Sequence, residues 1–274
     1  MPDTHLLFRL HAAAVVAPGL SSLADFRAAC GDRGKGFAPA AVTLPAPSAL
    51  PNNERRRASQ VVRLALACIA QALESSPFPA DSLRSVFTTD EGTGEVSQQM
   101  LEVLATTRQV SPLLFPNSVH NAPSGYFSIA WRNTEPSNVV SLGLESFASG
   151  LLCAVTEAAA TGQPVLLAAY DPAMTAPMDE LLPVTEPIAA ALVITSGNFG
   201  EELPTLATFD CALSSAADTS ESALPEWFPK HWTHHSSARA LMALGLLEAP
   251  RNTICRLGLG GTQLVLQRSG DAKP

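Results

Sequence analysis

The sequence SNVVSLGLESFASGLLCAVTEAAATGQPVLLAAYD, residues 137–171, predicts a strand, a sharp turn, a helix and a second strand, which together form a βαβ unit. Ser137–Leu142 is a short β-branched run bounded by turn formers and predicts a buried strand, while Phe147–Thr161 carries apolar residues at helical spacing. Gly162 supplies a helix stop, and Gln163–Tyr170 is an apolar run of strand length. This unit predicts the α/β class for the chain.

The turn between the first strand and the helix holds Glu145, Ser146 and Phe147. At a helix N-terminus, the helix dipole and free backbone N–H groups stabilise an anion, so a Cys placed there becomes a thiolate nucleophile. Phenylalanine cannot form a thioester. Ser146 lacks the Gly-x-Ser-x-Gly surroundings of a hydrolase nucleophile. Taken alone, Phe147 is also explained as an ordinary core aromatic.

The elbow-like segment resembles the nucleophile elbow of the thiolase-like β-ketoacyl synthases. Ala148-Ser149-Gly150 stands in the place of the small residues that follow the family's Cys, so the Cys position falls on Phe147. Downstream, FPKHWTHHSSARALMALGLLEA (228–249) is similar to the family segment in which a Lys precedes a His by five residues, a spacing that Lys230 and His235 keep. TICRLGLGGTQLVLQR (253–268) resembles the family's final Gly-rich hairpin, with Gly258, Gly260 and Gly261 at the turn.

The chain also departs from the family pattern. It contains no His-Gly-Thr tripeptide, the motif that carries a second catalytic His, and the span from Cys211 to Lys230 is too short for the elements that surround that motif. The resemblance therefore implies a catalytically degenerate ketosynthase-like protein of the chain-length-factor type. LPNNERRRASQVVRLAL (50–66) and FPNSVHNAPSGYFSIA (115–130) look most like short ketosynthase-like proteins of aryl polyene and xanthomonadin-type pigment clusters.

The resemblance implies a fold, partners and site residues. The expected fold is a thiolase-like layered αβαβα arrangement, with an N-terminal half over residues 1–200 and an abbreviated C-terminal half over 201–274, packed as one compact unit. The expected partners are a cognate β-ketoacyl synthase, bound as a heterodimer in type II polyketide or fatty-acid-like assembly, and an acyl carrier protein reached through that complex. Lys230 and His235 are expected to be vestigial, and Arg55, Arg56 and Arg57 to contact the carrier protein. The expected acyl tunnel or interface comprises Asn117, Ser118, His120, Asn121, Gly125, Tyr126 and Phe147.

Composition excludes several other functions. A net charge of −8 disfavours nucleic acid, because neutralising phosphates needs a basic surface. No apolar run is long enough to predict a membrane span. The five cysteines are scattered without CxxC spacing, which predicts buried thiols in a reducing cytosol. The cluster of His231, His234 and His235 lacks a convincing carboxylate or Cys partner, so neither a metal nor a cofactor is expected.

The rest of the chain predicts alternating strands and helices. Strands are expected at Leu6–Leu20, Val86–Thr89, Ile188–Thr195 and Cys211–Ser214. Helices are expected at Leu20–Cys30 with Ser21 or Ser22 as cap, Ser59–Glu74, Glu95–Thr107 and Ser237–Leu247, with a loop at Val110–Pro123.

Two other functions remain open from the sequence. One is a stand-alone condensing or acyl-transfer enzyme with an unrecognised nucleophile. The other is a homodimeric acyl-binding scaffold. Both predict behaviour that differs from a partner subunit: the first becomes acylated, and the second self-associates without regard to a ketosynthase.

Overall fold

The computed structural model describes residues 5–112, 114–199, 202–215 and 220–270. These residues form eight strands: β1 (His5–Val16), β2 (Arg84–Thr88), β3 (Ser137–Val140), β4 (Val165–Asp171), β5 (Ile188–Ser196), β6 (Ala207–Ser215), β7 (Ile254–Leu259) and β8 (Thr262–Gly270). They also form seven α-helices: α1 (Leu23–Gly31), α2 (Asn52–Arg57), α3 (Gln60–Glu74), α4 (Gly94–Thr107), α5 (Ala122–Trp131), α6 (Ser146–Thr161) and α7 (Ala238–Gly245). The α/β class is the one predicted.

All eight strands belong to one hydrogen-bonded sheet, in the order β3-β2-β4-β5-β1-β6-β8-β7. β2 runs parallel to β3 and β4, and every other neighbouring pair is antiparallel. β1 lies between the group of strands β2 to β5 and the group β6 to β8, because it pairs with β5 on one side and with β6 on the other. The predicted boundary between the two halves, at residues 200 and 201, lies outside the described residues.

The predicted βαβ unit is present as β3, α6 and β4. Helix α6 ends as expected at Gly162, which adopts the left-handed conformation (φ +66°) and donates its N–H to Ala158. The prediction that Ser137–Leu142 is buried was wrong. β3 stops at Val140, and as the terminal strand of the sheet it leaves Ser137 and Asn138 exposed.

Helices cover both faces of the sheet. α3 and α5 pack on one face, in a core cluster with Phe87 and Tyr170, whereas α6 and α7 pack on the other, with Phe147 and Trp232. α5 was not predicted, and the expected loop Val110–Pro123 overlaps its first two residues. Pro123 lies at the start of this helix, where its missing N–H costs no hydrogen bond, so a proline that indicates a loop here begins a helix.

The sheet curves around α6. This helix contacts β3 at one end of the sheet and β7 at the other. Eight strands side by side span roughly 34 Å, and a helix is only about 10 Å wide, so a flat sheet could not bring both ends to one helix. The curvature places the hairpin of β7 and β8 beside the first turn of α6.

The two terminal strands differ in their exposure. Along the outer side of β7, Ser222 donates its N–H to the Arg256 carbonyl (2.9 Å) and accepts the Arg256 N–H on its hydroxyl (2.9 Å). No such cover lies along the outer side of β3 among the residues the structure describes. β3 is therefore an open edge.

The hairpin turn is formed by Gly260 and Gly261, whose φ angles of +45° and +52° favour glycine. Gly258, predicted at this turn, instead lies within β7. No helix in the described parts of the chain is both long and apolar enough to cross a bilayer.

Candidate functional site

The candidate site is the first turn of α6, where the sequence places a nucleophile elbow. Phe147 is fully buried there. Its backbone N–H, the group that would stabilise a negative charge in an active elbow, donates to the Ser236 hydroxyl at 2.9 Å. The first turn of α6 therefore holds a buried aromatic ring at residue 147, and the N–H of that residue already has an acceptor.

Ser146 is engaged in the geometry of the turn. Its hydroxyl donates to the Gly143 carbonyl at 2.6 Å and accepts the Leu142 N–H at 2.8 Å. Its carbonyl accepts the Thr88 hydroxyl at 2.6 Å, which ties the helix start to the end of β2. A fully buried hydroxyl with these bonds has a structural role, so the structure gives no support to a serine nucleophile.

α6 lies unusually close to β2. A Cβ added at Gly150 would stand 2.8 Å from the Thr88 side chain. The small residue one turn into α6 is thus needed for the approach of the helix to the sheet.

A buried carboxylate that the sequence analysis missed connects the elbow region to α7. Asp171, at the end of β4, accepts the Ser237 N–H (2.7 Å) and hydroxyl (2.8 Å) on one oxygen. Its other oxygen accepts the Asp90 N–H (2.9 Å) and the Thr89 hydroxyl (3.2 Å). Because these four donors satisfy it, Asp171 serves to hold the start of α7 against the ends of β4 and β2. Its only sequence signal is a polar residue that ends an apolar strand.

His235 lies in the same junction. It is fully buried, and neither ring nitrogen has a hydrogen-bond partner among the described residues. Burial lowers the pKa of His235 to about 4, against an opposing effect of the Asp171 carboxylate. The ring is therefore neutral at physiological pH. Lys230, by contrast, is exposed at the start of the 3₁₀ helix Lys230–His234, so the structure does not bring the two predicted vestigial residues into one buried site.

The other two histidines of this segment, His231 and His234, are exposed. His231 pairs with the Glu186 carboxylate (2.7 Å), which also accepts the Trp232 indole N–H (2.8 Å). Burial opposes the ionisation of Glu186, but these two hydrogen bonds, together with the electrostatic effect of the neighbouring histidines, outweigh it and lower the pKa of Glu186. No group of three or more metal-ligating side chains occurs in the described residues.

Glu145 connects the elbow to the C-terminal hairpin. Its carboxylate accepts the Gly260 N–H at 2.8 Å. It stands at the N-terminal end of α6, where the helix dipole favours a negative charge. This contact was not predicted, because it joins residues 115 positions apart.

The segment predicted to shape the tunnel is divided between core and surface. Asn117 and Tyr126 are buried, and burial raises the pKa of the Tyr126 hydroxyl in spite of a hydrogen bond with Asn117. Ser118 is half-buried, whereas His120, Asn121 and Gly125 are exposed. Tyr126 packs in the core on the α3 face of the sheet and Phe147 in the core on the other face, so the structure does not bring these two residues together within one chain.

The three predicted arginines differ in their contacts. Arg55 donates to the Ser48 and Leu50 carbonyls (both 2.9 Å), which fixes the preceding loop. Arg57 approaches Glu54 at 3.7 Å, and its carbonyl accepts the Asn117 side-chain N–H at 3.1 Å. Arg56 is exposed. A contact with a carrier protein is therefore open to Arg56 and Arg57 and less so to Arg55.

None of the five cysteines has the character of a nucleophile. All are free thiols. Burial raises the pKa of Cys30 to about 11 and of Cys211 and Cys255 to about 12, and it also raises the pKa of Cys68 and Cys153. Reactive cysteines have lowered pKa values, so these thiols are structural. Cys68, Cys211 and Cys255 are buried as predicted, whereas the prediction of burial was wrong for Cys30 and Cys153, which are half-buried.

Exposed apolar side chains concentrate between β2 and α6. Of thirteen exposed large hydrophobic residues in the described chain, eight lie in residues 101–144. They are Leu101, Leu104, Val110, Phe115, Val119, Ile129, Leu142 and Leu144. The segment includes the open edge β3, so most of the exposed large apolar side chains of the described chain lie in the same stretch of sequence as that edge.

Comparisons with known proteins give the context of this site. The family model of the β-ketoacyl synthase N-terminal domain matches residues 32–244. A ketosynthase in complex with its chain length factor (ApeO and ApeC) from Xenorhabdus doucetiae is 25% identical, with a TM-score of 0.69 over 96% of this chain and 100% of that chain. No curated protein sequence matches this chain.

Two further solved structures share the fold. The ishigamide ketosynthase/chain length factor is 13% identical, with a TM-score of 0.72 over 96% of this chain and 99% of that one. A type II polyketide acyl carrier protein in complex with its ketosynthase bound to the hexaketide (AntDE:AntF) is also 13% identical, with a TM-score of 0.73 over the same shares. The predicted ketosynthase-like α/β fold is thus confirmed.

Proposed function

We propose that this chain is the chain-length-factor-like subunit of a heterodimer with an active ketosynthase. It belongs to the β-ketoacyl synthase family, because the model of that family's N-terminal domain matches residues 32–244. The heterodimer would act in type II polyketide, aryl polyene or similar fatty-acid-like assembly. In this role the partner carries the condensing chemistry, and this chain stabilises the partner and shapes the acyl tunnel. The heterodimer would act in the cytosol, where the free thiols of this chain stay reduced.

The observation that carries the proposal is the filled elbow. On this proposal Phe147 stands at the position of the family's nucleophile; its side chain is fully buried and its N–H donates to the Ser236 hydroxyl. Neither a covalent intermediate nor the stabilisation of an oxyanion is compatible with this arrangement. We therefore infer that the chain is catalytically inactive and that Lys230 and His235 have no catalytic task.

The open edge β3 is the proposed seam with the ketosynthase. The Pro136 carbonyl accepts the N–H of Ser85 in β2, and the Val140 carbonyl accepts the N–H of Thr89, directly after β2. With the two-residue period of a strand, the N–H and C=O groups of Val139 therefore face away from β2. A partner strand added there would satisfy these groups. The exposed apolar residues of 101–144 would be buried beside it.

The segment Asn117–Tyr126 would lie at the proposed seam and help to form the acyl tunnel. Its exposed members reach a partner rather than Phe147 of their own chain, so they would help to close a tunnel that lies across the interface. A side chain that fills the end of this tunnel would exclude a longer acyl chain, because overpacking costs roughly 1–3 kcal/mol. Arg56 and Arg57 would contact the acidic carrier protein that delivers the acyl groups.

Native mass spectrometry of this chain, made alone and coproduced with its cognate ketosynthase, tests the proposal. A one-to-one complex is expected, with the chain poorly soluble or self-associated when alone. A stable homodimer that ignores the ketosynthase would contradict the partner role. Incubation of the chain with malonyl or acyl carrier protein is expected to leave no covalent adduct, and an adduct would contradict the inactivity.

A further inference from the structure

Strand β3 is held near both of its ends by side-chain hydrogen bonds. Close to its start, the Asn138 amide donates to the Glu157 carboxylate of α6 at 3.2 Å. Just beyond its end, the Ser141 hydroxyl donates to the Asp90 carbonyl at 2.6 Å. The two bonds stand on either side of Val139, whose N–H and C=O groups face the open side of the strand. They therefore bracket the position at which a partner strand would be added.

The Glu157 carboxylate is itself fixed in place. One of its oxygens accepts the Nε–H of Arg84, in β2, at 2.5 Å, and the other accepts the Asn138 amide. The side chains of Arg84 and Glu157 are 19% and 9% exposed, so this ion pair is mostly buried. A buried ion pair adds little net stability, because the loss of hydration offsets the attraction, and its best-attested use is to specify one arrangement of the chain. Here the arrangement includes the position of Asn138.

The Asp90 carbonyl, at the other end of β3, is also fixed. Asp90 lies shortly after β2, and its N–H donates to the buried Asp171 carboxylate at 2.9 Å. Asp171 binds the N–H and the hydroxyl of Ser237 at the start of α7. Ser141 is thus fastened to the hydrogen-bonded junction of β2, β4 and α7.

The alternation of side chains along β3 shows what these bonds leave free. Val140 packs against the core on the α6 face of the sheet, and Val139 packs against the core on the other face. Asn138 lies on the same face as Val140, as the two-residue period requires, and for this reason its amide reaches α6. The bond to Glu157 therefore holds the strand through its face and leaves the open edge unobstructed.

The short length of β3 makes this support important. β3 pairs four residues with β2, and the pairing is parallel, the less stable kind per residue. Segments with few buried contacts and exposed backbone bonds open locally before the rest of a fold. Ordering such a segment during association would consume part of the binding free energy. Bonds that hold β3 in advance therefore favour the addition of a partner strand.

We propose that Asn138 and Ser141 are positioning residues of the seam, which hold β3 extended, through Glu157 and Asp90, for the strand that the ketosynthase adds. This inference rests on the proposed function, because it concerns the same edge. The two residues act through the backbone of Val139 and need no contact of their own with the partner. Their loss should weaken assembly while the core of the chain stays folded.

Competition for a limiting amount of ketosynthase tests this role. The unaltered chain and one variant are coproduced with a smaller amount of affinity-tagged cognate ketosynthase, and intact-mass measurement gives the share of each chain in the soluble extract and in the captured complex. Asn138→Ala and Ser141→Ala should each be captured about fivefold less than their soluble share, which is the effect of one hydrogen bond. Ser137→Ala removes an exposed hydroxyl from the same strand and, as the matched control, should be captured in proportion to its soluble share.

An exchange of groups separates positioning from stability. Asn138→Asp places two carboxylates together and should reduce capture roughly tenfold, whereas Asn138→Asp combined with Glu157→Gln restores the hydrogen bond with amide and carboxylate exchanged and should recover most of the capture. A change that only unfolds the chain lowers its soluble amount and leaves the captured share of the soluble chain unaltered. Proportionate capture of Asn138→Ala and Ser141→Ala, or no recovery in the double variant, would overturn the positioning role and leave the proposed function intact. The absence of any complex with the unaltered chain would overturn both.

Discussion

Phe147→Ala should destabilise the chain strongly, because the ring fills a fully buried position at the start of α6. A phenylalanine buries about 150–250 Å². At about 25 cal/mol per Å², removal of most of the ring loses roughly 3–5 kcal/mol, the range found for Phe→Ala in packed cores. The free energy of unfolding, measured by urea denaturation followed by circular dichroism, should fall by about 4 kcal/mol.

Two companion variants make this measurement specific. Phe115 is 60% exposed, so Phe115→Ala should change the free energy of unfolding by less than about 0.5 kcal/mol. Phe147→Cys should lower the free energy of unfolding by about 3 kcal/mol. It should gain no condensing activity, because the backbone N–H of residue 147 still donates to the Ser236 hydroxyl. A loss below about 1 kcal/mol in Phe147→Ala would refute the claim that the ring fills the elbow, and acyl-adduct formation by Phe147→Cys would refute the claim that the elbow is closed.

Three other measurable properties follow from the burial of His235, the Glu145 hydrogen bond and the raised pKa values of the cysteines. Because the pKa of His235 is about 4 in the folded chain and 6.5 when exposed, the unfolded chain takes up its proton first, and stability should fall by up to about 3 kcal/mol as pH drops from 6.5 to 4. His235→Leu should flatten this decline in denaturation curves and His120→Leu, at an exposed site, should not; equal slopes would contradict the assignment. Glu145→Ala removes the acceptor of the Gly260 N–H, so hydrogen exchange at 258–263 should accelerate relative to Glu145→Gln, and unchanged exchange would show that the bond does not hold the hairpin. The cysteines, with raised pKa values, should resist iodoacetamide at pH 7.5 until the chain unfolds, as followed by intact-mass measurement, and rapid labelling of the native chain would contradict their structural role.

Much of the fold could be predicted because it is encoded locally. α6 and its end at Gly162, α3, and the strand β4 each follow from apolar periodicity and a recognisable terminus. α1 begins at its predicted cap, since the Ser22 hydroxyl accepts the Asp25 N–H.

Burial and edge position could not be predicted in the same way. β3 is β-branched like a central strand, and only the strand order shows that it lies at the edge. α5 was missed because Pro123 at its start reads as a loop signal. A proline interrupts a helix in its interior but is tolerated in its first turn. Which of the two applies to Pro123 depends on whether the residues after it form a helix, and here they do.

The partners of the candidate site were also beyond sequence reasoning. Phe147 was singled out by the pattern around it and its assignment stays a prediction, whereas its bond to Ser236 and the four bonds of Asp171 join residues tens of positions apart. Likewise, Arg55 was expected at a binding surface, whereas it holds the loop before α2. Such contacts depend on the curvature of the sheet, which no local pattern records.

The most direct test of the account is the assembly of Val139→Pro with the cognate ketosynthase, compared with Val139→Ala. Proline removes the N–H that faces the open side of β3 and leaves the bonds to β2 in place, whereas alanine shortens the side chain and keeps the N–H. Native mass spectrometry of coproduced proteins should show the one-to-one complex for Val139→Ala and a loss of at least tenfold in its abundance for Val139→Pro, with both variants folded. An undiminished complex with Val139→Pro would contradict the proposed seam, and the absence of any complex with the unaltered chain would contradict the partner role itself.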